Sequence, residues 1–124
     1  MPFRYLNLFD YSEKKDCLRK RPLIMVSPTI FEDILQKKIP FHRSNWRASE
    51  EQNIYDLKQT LTSGKIRAAY LHLAAMDGIL HQFSYPAPQV EAKIRWYEQE
   101  LQQLFEFAQE VYQEVRLFCF SDHE

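Results

Sequence analysis

Glycine is nearly absent from this sequence, with two residues in 124, Gly64 and Gly78. A glycine-rich loop that cradles phosphates with backbone N–H groups therefore has no place in it, and no G-x-S-x-G turn of a serine hydrolase occurs. Cysteine is equally scarce. Cys17 sits among charges and Cys119 inside an apolar run, which argues against a disulfide framework or a thiolate metal site and leaves two reduced thiols. An excess of one charge is missing too. With 16 Lys and Arg against 17 Asp and Glu the net charge is -1, so no basic field exists to hold a nucleic-acid polymer. No apolar stretch approaches the roughly 20 residues of a bilayer crossing, and the N-terminus lacks a signal-like apolar core. The expectation is a soluble, cytoplasmic protein with no membrane partner.

What is present favours folding. Hydrophobic residues make up 45% of the chain and aromatics 15%, which is more apolar surface than a disordered segment carries and enough for one modest core. The mixed charges from Glu13 to Arg21 read as a solvated connector. Ser27-Pro28-Thr29 reads as a helix start, with Ile30, Phe31, Ile34 and Leu35 on one face and an end near Lys37 or Lys38 before Pro40. Ile39 to His42 suits a short extended segment. Ser49 with Gln52 fits a capping box, followed by Ile54, Leu57 and Leu61 and closed by Ser63-Gly64. Ile66 to Met76 is a mostly apolar run of the kind found in a strand buried on both faces; a buried helix has the same composition, but the capped helix before it and Asp77-Gly78 after it favour strand.

From Pro88 to Glu114, apolar residues recur every three or four positions, from Val90 and Ile94 to Val111 and Tyr112, which predicts a long amphipathic helix. Val115 to Phe120 then reads as a second strand. Strand, helix and strand over 66–123 make a βαβ unit, so the fold class is α/β with a parallel sheet and flanking helices.

The chemistry follows from that topology. Asp77 and His81 come just after the first strand, and Asp122 and His123 just after the second. Parallel strands end on the same edge of the sheet, where open α/β folds bind ligands, so the four side chains are expected to converge there. Carboxylate oxygen and imidazole nitrogen are common ligands of zinc and its neighbours. Chance would supply roughly 0.2 Asp-x-x-x-His pairs and as many Asp-His neighbours in such a composition, so the presence of both is unusual. The bland alternative is that each Asp caps a turn, as Asp77-Gly78 would by itself. His72 reads as a hydrogen-bonded core histidine, His42 as a surface-loop residue, and Tyr70 and Trp96 as core. Thr29 is explained by capping.

These residues carry a resemblance. AYLHLAAMDGILHQFS, then a long helix, then VRLFCFSDH, resembles the second half of the catalytic domain of type I phosphodiesterases and nucleotide pyrophosphatases, within the alkaline phosphatase superfamily. The resemblance covers roughly residues 66–123. It implies a partial alkaline-phosphatase-like sheet and two divalent metal ions, zinc favoured over manganese, with Asp77 and His81 holding one and Asp122 and His123 the other. The implied substrate is a small phosphate ester or diester. Two departures accompany it. The family's Thr or Ser nucleophile, its upstream metal-binding Asp and its downstream His have no good counterpart here, and Glu124 stands where the family has Gly after Asp-His. The expectation is that residues 1–124 form a single partial domain of a larger hydrolase, inactive alone and prone to self-association through uncovered sheet edges. The competing expectation is a non-catalytic α/β interaction module whose Asp and His residues are incidental.

Overall fold

The structure is a computed structural model that describes residues 30–121. The segments at 13–21 and 27–29, Cys17, and the motif residues Asp122 and His123 lie outside the described residues. The chain divides between Ile39 and Pro40 into two units.

In the first unit, α1 runs over Ile30–Gln36. It closes with a backbone reversal: the Lys38 N–H donates to the Leu35 carbonyl and the Ile39 N–H to the Ile34 carbonyl, with Lys38 at φ 53. A left-handed residue with this pair of bonds satisfies the orphan carbonyls of a helix end, and Lys38 takes the position that glycine usually fills.

The second unit begins with β1 (Phe41–Arg43), then α2 (Glu50–Leu61), β2 (Ala68–Tyr70), α3 (Ala75–Gln82) and α4 (Pro88–Val111). β1 and β2 pair in parallel, with Phe41 opposite Ala68, His42 opposite Ala69 and Arg43 opposite Tyr70. Their connection is α2. It starts where expected, since the Ser49 hydroxyl accepts the Gln52 N–H at 3.1 Å, but only half of the capping box forms. The Gln52 side chain donates to Asp56 Oδ1 at 2.7 Å, an i to i+4 contact along the exposed face, rather than turning back to the cap. Gly64, at φ 64, ends the turn that follows α2.

The core lies between α2 and α4. Leu57, Leu61, Leu104 and Ala108 form a buried cluster closed by Ile66, Leu71, Phe107, Tyr112 and Val115, with Ile54 and Val90 also buried. α3 packs against α4 and contributes no fully buried residue. The long helix expected from periodicity is α4, and Pro88 at its first turn needs no N–H partner there.

The α/β class with a parallel sheet and flanking helices holds, but the βαβ unit is β1–α2–β2 and not the one expected over 66–123. Two segments differ. The apolar run from Ile66 pairs only over Ala68–Tyr70, and its remainder leaves the sheet and enters α3 at Ala75, because β1 is only three residues long and supplies no further ladder. Val115–Phe120 forms neither helix nor strand: Val115 packs on the core, while Leu117, Phe118 and Phe120 are exposed and no strand pairs with them among the described residues. No described helix is long and apolar enough to cross a membrane.

Candidate functional site

Just past the C-terminal end of β2 the chain turns into α3, which carries Asp77 in its first turn and His81 in its last. A spacing of four puts both side chains on one face of the helix. Asp77 Oδ1 and His81 Nε2 stand 3.3 Å apart, and both side chains are largely open to solvent, with exposures of 53% and 80%. That separation is a direct i to i+4 contact between carboxylate and imidazole, and it is also the spacing at which two ligands could share an ion. Two ligands of a tetrahedral zinc, each at about 2.0–2.1 Å, stand about 3.3 Å from one another. The donor set, one carboxylate oxygen and one imidazole nitrogen with open solvent beyond, therefore fits half of a divalent-metal site. Among the described residues no group of three or more His, Cys, Asp or Glu side chains is placed to hold a metal ion. A complete site needs ligands beyond this pair, and Asp122 and His123 lie outside the described residues.

What fixes α3 comes from elsewhere in the fold. Ala74, which precedes the helix, makes no side-chain cap, so the first N–H groups depend on another element. Glu50, the first residue of α2, supplies the acceptor: its Oε1 takes the Ala75 N–H at 2.8 Å and the Tyr97 hydroxyl at 2.7 Å. Its other oxygen pairs with Lys93 Nζ at 2.5 Å. Lys93 lies in turn over the rings of Trp96, at 3.8 Å, and Tyr97, at 4.9 Å. Burial pushes the Glu50 carboxyl upward, but Lys93, the Ala75 N–H and the Tyr97 hydroxyl outweigh it and hold the group below the usual range. Tyr97 is pushed above the ordinary phenol value by burial and by the Glu50 carboxylate. This node had no sequence signal, since a glutamate in the first turn of a helix is ordinary dipole complementation.

The other histidines are placed differently from expectation. His72 is exposed; its backbone N–H donates to the Ser44 hydroxyl at 3.0 Å while its ring points outward near Tyr70, so the core reading fails where the strand ends early. His42 lies in β1 and is half-buried, not on a surface loop. Tyr70 and Trp96 are half-buried, at the margin of the core.

His42 has a determinable proton position. Thr60 Oγ1 gives its single proton to the Asp56 carbonyl at 2.9 Å, so it accepts from His42 Nδ1, also at 2.9 Å, and the imidazole proton sits on Nδ1. Nε2 is then a bare acceptor, buried with no hydrogen-bond partner among the described residues. Adding a proton there would bury a charge with nothing to receive the N–H. Burial accordingly lowers the His42 pKa, against an opposing pull from Asp56. The expected NMR titration midpoint lies below the ordinary value of about 6.5. Because the folded value is depressed, the stability contributed by neutral His42 is complete above about pH 6.5 and is lost as pH falls through the folded value. Urea unfolding between pH 7 and 5 should show this loss, and His42→Asn should flatten it. A midpoint at or above the ordinary value would contradict the assignment.

The family model described as type I phosphodiesterase / nucleotide pyrophosphatase matches residues 7–123. No curated protein and no solved structure matches the chain.

Proposed function

The chain belongs to the type I phosphodiesterase / nucleotide pyrophosphatase family, and on that basis we propose that it supplies two ligand pairs of a two-metal site that hydrolyses small phosphate esters or diesters. Members of this family are metal-dependent hydrolases of small phosphate-ester substrates. The observation that carries the proposal is the Asp77–His81 pair, 3.3 Å apart on one face of α3 and open to solvent.

In this reading Asp77 and His81 hold one ion, Asp122 and His123 hold the other, and the rest of each coordination sphere comes from residues outside these two motifs. When bound, such a pair of ions activates the nucleophile and neutralises charge developing on the phosphoryl oxygens. The residues of this chain hold and orient. Asp77 brings a hard anionic oxygen and His81 a neutral nitrogen, a mixed set that suits zinc and tolerates manganese. α3 keeps the two at a fixed separation. The role proposed for these four residues is ligation, and no covalent step is given to any of them.

Paramagnetic broadening tests the assignment directly. Mn2+ added to the isotopically labelled 124-residue chain should broaden resonances at Asp77 and His81 and at residues 122–123 before other carboxylates. Asp77→Ala should remove the first effect. Broadening spread evenly over the surface carboxylates, or unchanged by Asp77→Ala, would overturn it.

A further inference from the structure

We propose that Glu50 is the positioning residue of the Asp77–His81 pair, its buried carboxylate anchoring the N-terminus of α3 to α2 and α4; the inference rests on the reading of Asp77 and His81 as metal ligands. Besides Glu50, α3 is held among the described residues by its packing on α4 and by the Met76 N–H, which reaches the Tyr97 hydroxyl. It is eight residues long, lacks a side-chain cap of its own and has no fully buried residue. Gly78 in its interior weakens it further. Helices of this length do not persist in water without tertiary support.

Glu50 provides that support from a rigid place. It opens α2, whose Leu57 and Leu61 enter the core cluster, and its side chain is 10% exposed. One carboxylate meets the first turns of two helices, where negative charge is favoured by both dipoles. Oε1 takes the Ala75 N–H, two residues before Asp77, and the Tyr97 hydroxyl from α4. Lys93, also from α4, is held between the other carboxylate oxygen and the Trp96 ring, so it cannot leave Glu50 without uncovering a charge. Three helices thus meet on one side chain, two residues from the first member of the ligand pair. Mutating groups that orient metal ligands typically costs about 10- to 100-fold in metal affinity.

The hydrogen bond and the charge can be separated. Glu50→Gln keeps an oxygen for the Ala75 N–H but removes the charge facing Lys93; Glu50→Ala removes both; Lys93→Met leaves the Ala75 bond in place. The probe is Co2+ alone, titrated into the 124-residue chain and read by its visible absorption, beside amide exchange over Ile79–Gln82. Asp77→Ala should abolish the α3 site. Glu50→Ala should weaken it by about 10- to 100-fold and speed α3 exchange, whereas Glu50→Gln and Lys93→Met stay within about threefold of the original affinity despite lower melting temperatures. Should Glu50→Ala fail to fold, Glu50→Gln and Lys93→Met carry the test, because loss of affinity in step with their loss of stability would overturn the proposal. Unchanged affinity and exchange in a folded Glu50→Ala would overturn it equally. If Asp77→Ala leaves Co2+ binding unchanged, the metal reading fails, and exchange over α3 alone then decides whether Glu50 fixes this helix.

Discussion

Leu57→Ala is expected to lower the unfolding free energy by about 3 kcal/mol, within the range of roughly 2–5 kcal/mol for truncating a buried leucine. Leu57 is 4% exposed and sits where α2 meets α4, in the cluster with Leu61, Leu104 and Ala108. Few other residues share its load. The fully buried hydrophobics among the described residues are six, Ile54, Leu57, Leu61, Val90, Leu104 and Ala108, so the cavity has little neighbouring material to collapse into it. Against a total stability of about 5–15 kcal/mol for an ordinary domain, such a loss is a large fraction. Urea unfolding followed by tryptophan fluorescence measures it, with Tyr55→Ala on the exposed side of the same helix as the control. Tyr55 is 57% exposed and should change stability by no more than about 0.5 kcal/mol. A cost below about 1 kcal/mol for Leu57→Ala would mean that α2 and α4 do not form the core described. The effect extends to function because α2 begins at Glu50, and loosening its packing loosens the acceptor that holds α3.

Of the four helices among the described residues, α1, α2 and α4 were legible in the sequence and α3 was not. Over the 24 residues of α4, a period near 3.6 is repeated often enough to be unmistakable, and Ser49 and Gly64 mark the start and close of α2 with local chemistry. Strands of three residues leave no comparable trace. The run from Ile66 to Met76 is mostly apolar, so composition alone could not show that pairing stops at Tyr70 and a helix begins at Ala75. What stops it is the shortness of β1, a property of another segment. Val115–Phe120 shows the same limit from the other side, since apolar aromatic composition makes a strand only when a partner strand is present to accept it. At the candidate site, the Asp77-x-x-x-His81 spacing was readable because i to i+4 geometry is local. The Glu50 anchor was not, because it joins residues 25 and 47 positions apart.

The largest expected effect is on turnover. A catalytic domain that contains this chain together with the nucleophile and the remaining ligands should hydrolyse an aryl phosphate diester in a chelator-sensitive way, and the 124-residue chain alone should not. Phosphoryl transfer through a covalent intermediate needs an attacking oxygen held beside the metal, and the ligation proposed for Asp77, His81, Asp122 and His123 cannot replace that group. Removing a ligand from the complete domain has a different consequence. Metal-assisted stabilisation of the transition state is worth several kcal/mol, and each 1.36 kcal/mol is tenfold in rate, so Asp77→Ala or Asp122→Ala should lower kcat/KM by on the order of 10^3-fold. Glu50→Gln should cost far less, because the amide oxygen still receives the Ala75 N–H. The assay compares 4-nitrophenolate release from bis(4-nitrophenyl) phosphate with zinc, with manganese and with chelator, for the domain, its variants and this chain. Chelator-sensitive turnover by the 124-residue chain would show that it carries its own nucleophile. Full activity in Asp122→Ala would remove the second ion's ligands from the proposal while leaving Asp77 and His81 to be judged on their own variant, since the two pairs belong to separate segments of the chain and their losses should each be severe.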